Sequence, residues 1–134
     1  MPTFLTIEPR LHVADLQASL AFYRDVLGFV VTTLIPRDEP TFAMLARDRV
    51  YLQLGGIGGT RRREDRATCT LWIDVHDVVE LHGTLASKTT IEWAPEVFFY
   101  GRREFAVRDP DGHLVVFSEV TDNPPTCREE SVTE

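Results

Sequence analysis

The sequence predicts an α+β protein built from two βαβββ modules, and three observations carry that prediction. A pattern occurs twice: Leu11-His12-Val13-Ala14-Asp15-Leu16, and 62 positions later Ile73-Asp74-Val75-His76-Asp77-Val78. Each copy is an alternating apolar run that stops at an Asp, a residue type that caps helices. Each is followed much later by a second strand-like run, Val50 to Leu54 and His113 to Phe117. Two similar halves in 134 residues can pack face to face and leave a cleft, with residues at equivalent places converging there. The length suits one compact domain with a sizeable core.

The elements follow in order. Residues 4–13 alternate and read as a strand. Asp15 caps a helix whose Leu16, Leu20, Tyr23 and Leu27 fall on one stripe, and Gly28 stands at the C-cap place. Phe29 to Ile35 is rich in β-formers. Pro36 and Pro40 bracket a turn, and Thr41 to Ala46 is the next strand. Arg47-Asp48-Arg49 turns the chain into Val50 to Leu54, which ends the first module, residues 1–54. Residues 55–66 are the linker. Their glycines match neither the dinucleotide fingerprint nor the P-loop. The second module, residues 67–120, repeats the order. Ala67 to Val75 is a strand, and Asp77 caps a shorter helix reaching about Lys88. Trp93 to Tyr100 is an irregular aromatic segment. Arg103 to Arg108 and His113 to Glu119 form a hairpin over the Asp109-Pro110-Asp111-Gly112 turn, whose Pro and Gly suit type I. Residues 121–134 have little to bury and are expected to be disordered.

Composition narrows the function. The net charge of −7 argues against nucleic acid as a partner, because phosphate binding needs a basic face. No apolar run reaches membrane-spanning length, and no signal-peptide layout is present. Cys69 and Cys127 suggest neither a zinc pair nor a disulfide framework, so a cytoplasmic location is expected.

Val13-Ala14-Asp15-Leu16, Phe22-Tyr23, Leu27-Gly28-Phe29 and the later Asp109-Pro110-Asp111-Gly112-His113-Leu114 with Phe117 together resemble the vicinal oxygen chelate superfamily. That superfamily includes glyoxalase I, extradiol dioxygenases and bleomycin-resistance proteins. The resemblance covers about residues 4–119. It implies two βαβββ modules curling into an open, barrel-like cleft, and commonly a homodimer. It also implies a metal held by one residue from each of four strands. Carried over by position, these are Glu8, Gln53, Thr70 and Val116. Only Glu8 is charged and Val116 has no donor, whereas divalent sites keep about three good ligands. No metal and no cofactor are therefore expected.

The same positions describe a cleft for a small molecule. Glu8 sits in an apolar strand and must meet water, a partner or a ligand. Arg10 shares its face, so Glu8 either pairs with Arg10 or Gln53 or orients a ligand. Trp72 shares the face of Thr70 and lines the cleft. The four histidines fit structural or surface roles better than catalytic ones. The predicted function is metal-independent binding of an antibiotic-like, cationic aromatic small molecule, as in the bleomycin-resistance proteins that the chain resembles. The alternative is a glyoxalase- or dioxygenase-like enzyme with a degenerate metal site.

Overall fold

The protein is described by a computed structural model covering residues 1–56 and 68–127. Most of the predicted linker, 57–66, and the end of the predicted tail, 128–134, lie outside the described residues. The chain divides into two compact units, Met1–Ala67 and Thr68–Glu134.

The first unit contains β1 (Arg10–Val13), α1 (Leu16–Ala21), a π-helical turn (Phe22–Val26), β2 (Val30–Ile35), β3 (Phe42–Arg47) and β4 (Val50–Gly56). The second contains β5 (Thr70–Asp74), α2 (Val78–Ala86), β6 (Ile91–Phe98), β7 (Arg102–Arg108) and β8 (Leu114–Val120). Each unit holds one open four-stranded sheet, ordered β1-β4-β3-β2 or β5-β8-β7-β6. The first strand of each pairs parallel to the last, and the remaining pairs are antiparallel. Neither sheet closes on itself. The repeat read from the sequence is a repeat of register. Arg10, Gln53 and Met44 lie side by side across the first sheet, as Trp72, Val116 and Ala106 do across the second. Even the irregularity recurs, at Val31/Thr33 and at Ile91/Trp93.

Local chemistry explains most elements. Asp15 accepts from the Ala18 amide at 3.2 Å and starts α1. The whole predicted stripe of Leu16, Leu20, Tyr23 and Leu27 is buried. The helix is not regular throughout, because its second half widens to an i→i+5 bond from the Leu27 amide to Phe22 O. Gly28 then adopts φ +78°, the left-handed conformation a C-cap glycine supplies cheaply. A Cβ there would lie 3.0 Å from Arg47 Nη1, which donates to Leu27 O at 2.6 Å. In the second unit Asp109 Oδ1 accepts from the Asp111 and His113 amides, both at 2.9 Å. His113 Nδ1 accepts from the Cys69 amide, tying the turn to the residue before β5. The turn motif is thus a structural staple.

Four expectations need correction. The first strand does not span 4–13. It starts at Arg10, directly after Pro9, which has no amide N–H to give to the ladder with β4. Phe4, Leu5 and Ile7 are left exposed. Asp77 occupies the N-cap of α2 without capping it. Its φ of +62° departs from the extended conformation that aims a cap oxygen at the first amides. Glu119 on β8 does the work instead, accepting from the Asp77 and Val78 amides at 3.0 Å each. The aromatic segment from Trp93 is mostly strand, β6. Pro95 is tolerated because β6 is an edge strand with a register shift at that point. Residues 121–127 are not a free tail. The Val97 amide donates to Thr126 Oγ1 at 2.8 Å, and the Thr126 and Cys127 amides donate to Val97 O. Among the described residues no helix is long and apolar enough to cross a membrane.

Candidate functional site

In the first sheet, Leu11, Val13, Ala43, Leu45, Leu52 and Leu54 point into the core. The strand period of two therefore puts Arg10, His12, Phe42, Met44 and Gln53 on the other face. There Gln53 is the centre of a chain of contacts. Its Oε1 accepts from Arg10 Nε at 3.0 Å and its Nε2 donates to Glu8 Oε1 at 3.3 Å. The Arg10 guanidinium carbon lies 4.5 Å from the Phe42 ring centre, a cation–π distance. Three predicted site residues are thus together. Of the two partners open to Glu8, the one it takes is Gln53, and Arg10 joins through that amide.

The second sheet presents the equivalent face. Thr70 and Trp72 are exposed on it, and Val116, the register partner of Trp72, is buried. Two residues along from them lies a polar network that the sequence reading missed. Glu104 is 2% exposed. Its Oε1 accepts from the Tyr100 hydroxyl at 2.7 Å, and its Oε2 from the Ser118 hydroxyl at 2.9 Å. Arg102 Nη1 reaches Ser118 Oγ at 3.0 Å and Asp74 Oδ1 at 2.9 Å. Burial, then the bond to Glu104, holds the Tyr100 phenol well above its ordinary range. A signal for Glu104 was available: it is a carboxylate inside a strand, as Glu8 was read to be. Around Tyr100 stand Trp72, Phe98 and Phe99, at ring separations of 6.3, 5.5 and 5.2 Å. On β6 the Trp93 indole N–H is buried with no acceptor among the described residues.

The family's metal positions do not suit a divalent ion. The Gln53 amide is engaged at both ends, Thr70 brings only a hydroxyl and Val116 only hydrocarbon. Arg10 adds positive charge to the face of Gln53. Among the described residues no three His, Cys, Asp or Glu side chains converge. Nucleophilic chemistry is no better served. Burial, then Asp109, pushes the Cys69 thiol up, and burial, then Glu96, does the same to Cys127, keeping both in the unreactive thiol form.

The sequence profile of the Glyoxalase/Bleomycin resistance protein/Dioxygenase superfamily matches residues 6–117. The chain belongs to this superfamily. A bleomycin resistance protein from Geobacillus stearothermophilus is 32% identical over 131 residues, covering 81% of this chain and 92% of the relative. A bleomycin-binding protein from Streptomyces verticillus, solved with copper(II)-bleomycin, superimposes with TM-score 0.69 at 28% identity, over 92% of this chain and 100% of that one. TioX from Micromonospora shares the fold at TM-score 0.76 and 20% identity, over 87% of this chain and 99% of TioX. The superfamily joins binding proteins and enzymes on one scaffold, so the side chains decide between them.

Proposed function

We propose that this chain is a metal-independent binding protein for an antibiotic-like small molecule, an aromatic compound carrying positive charge, and that it works as a cytoplasmic homodimer. The observation that carries the reading is its 32% identity to a bleomycin resistance protein over nearly that protein's whole length. The side chains agree with it. The ligand positions of the metal-dependent members hold Glu8, Gln53, Thr70 and Val116, of which only Glu8 is charged, and an exposed tryptophan, Trp72, stands on the second sheet beside Tyr100. Aromatic faces and carboxylates are what a cationic aromatic compound needs. The exposed Phe4, Leu5 and Ile7 favour a partner chain, since apolar side chains grouped on a surface are commonly covered by one.

Tryptophan-fluorescence titration with metal-free bleomycin, in buffer containing a chelator, tests the reading. Saturable binding is expected, weakened about tenfold in Trp72→Ala, the loss of one good aromatic contact. The melting temperature is expected to be unchanged by the chelator. A chelator-sensitive melting temperature together with no binding would overturn the proposal in favour of a metal enzyme. Light scattering is expected to give twice the mass of 15.2 kDa.

A further inference from the structure

We propose that Glu104 is a charge-selecting residue. Buried behind the Trp72–Tyr100 aromatic patch, it makes that patch bind planar organic cations in preference to neutral planar molecules of the same shape. The inference rests on the small-molecule reading above and assigns it a selectivity.

Hydrogen-bond accounting fixes the state of the network. The Ser118 hydroxyl accepts from Arg102, so its single proton goes to Glu104; the Tyr100 hydroxyl gives its proton to the other oxygen. Both oxygens of Glu104 are therefore acceptors, as in a carboxylate. Both donors are neutral. They stabilise the anion without cancelling its charge. The nearest cation in the network, Arg102, is spent on Asp74 at 2.9 Å, and that pair is neutral in sum. Asp74, Glu104 and Arg102 together leave one negative charge, placed where burial limits its screening. Above it lies open aromatic surface: Trp72 is 55%, Phe99 48% and Tyr100 44% exposed. Phe98 stacks on Tyr100 with an interplanar angle of 8°, which holds the phenol ring in place. A planar cation laid on this surface gains from the ring faces and from the carboxylate behind them. A neutral molecule of the same outline gains only the ring faces. The first sheet makes the reverse arrangement at the same register position, where Phe42 lies beneath the Arg10 guanidinium.

The test compares proflavine, a planar cation, with acridine, its neutral counterpart, in mildly alkaline buffer, by fluorescence titration of the intact protein. Wild type is expected to prefer proflavine. Glu104→Gln keeps an acceptor for Tyr100 and removes the charge. It is expected to weaken proflavine about tenfold while moving acridine less than about twofold. Arg102→Gln, which leaves the carboxylates in place and removes the cation, is expected to raise the preference severalfold. It tests the same idea with the opposite sign should the first variant not fold. If either substitution changes both affinities alike, Glu104 only supports the fold and the charge-selecting role is wrong. If the wild type binds neither compound, the ligand class itself fails, and the selectivity with it.

Discussion

Phe42 and Glu104 occupy the same place in their sheets, opposite Gly55 and Ser118 respectively, and are handled in opposite ways. In the first unit the position is an aromatic ring half-covered by a guanidinium. In the second it is a carboxylate sealed behind aromatic rings. The sheets around them differ accordingly. β4 alternates, with Leu52 and Leu54 buried and Tyr51 and Gln53 open. Along β7 and β8, Glu104 to Val107 and Val115 to Ser118 are buried without alternation. A repeat therefore preserves backbone register and leaves side-chain chemistry free to diverge. One module can carry exposed, solvated polar groups, while its copy invests in a buried network, which demands complete hydrogen bonding.

The largest effect that separates the modules should come from this pair of positions. Glu104→Ala strands the buried Ser118 hydroxyl and removes the partner of the more exposed Tyr100, and should cost about 2–3 kcal/mol, at roughly 1–3 kcal/mol for a buried polar group left unsatisfied. Phe42→Ala, half-buried, should cost only about 1–2 kcal/mol. Urea denaturation of both variants measures the difference, and equal costs would mean that the Glu104 network adds no stability of its own.

The helices offer the next contrast. Gly28→Ala forces a side chain into φ +78° with its Cβ against Arg47 and should cost about 1–3 kcal/mol. Gly83 lies inside α2 with nothing within 4 Å of an added Cβ. Gly83→Ala should stabilise by about 0.5–1 kcal/mol. Thermal melts should move in opposite directions.

Capping gives a smaller, pH-dependent difference. Asp15→Ala removes a local cap and Glu119→Gln weakens one supplied from β8, each worth about 0.5–2 kcal/mol. The backbone bonds from Val78 and Asp77 lower the Glu119 carboxyl below its ordinary range. Its contribution is therefore complete above the unfolded-state value and is lost as pH falls through the lowered folded-state value. The stability gap between wild type and Glu119→Gln should narrow through that acid window. A gap that stays constant into acid would show that the charge is not what caps α2.

The smallest effect belongs to the open face. Gln53→Ala should cost less than about 1 kcal/mol, because Arg10 and Glu8 are exposed and solvent replaces the lost partner. A larger loss by denaturation would mean that the first sheet's polar chain is as important structurally as the second's.

Much of the fold and part of the site could be read directly. The Asp15 cap, the buried stripe, Gly28 and the Asp109 turn depend on neighbours close in sequence, where spacing is geometry. Glu8 and Thr70 share the 62-residue offset, Arg10 and Trp72 lie two residues on from them, and Gln53 and Val116 come from the family pattern; in the sheets Arg10 pairs with Gln53 and Trp72 with Val116. The Gln53–Glu8 bond spans 45 positions and is one of the two pairings the sequence leaves open to Glu8; the Arg10–Gln53 bond is not legible there.

What the chain order could not determine are interactions whose partners meet only after the sheets form. Asp77 looks like a cap in sequence, but its backbone turns left-handed and Glu119, 41 residues from Val78, takes its place. The aromatic run from Trp93 reads as irregular until β7 pairs with it. Residues 121–127 read as tail until Thr126 finds Val97. Glu104 shows in sequence only as a carboxylate within a strand, and its burial follows once Tyr100 and Ser118 close over it. Local pattern determined where helices, turns and repeats lie, because those energies are set within a few residues. Tertiary structure alone decided which carboxylate is buried and which amides it serves, because desolvation and hydrogen bonding depend on what surrounds a group in space.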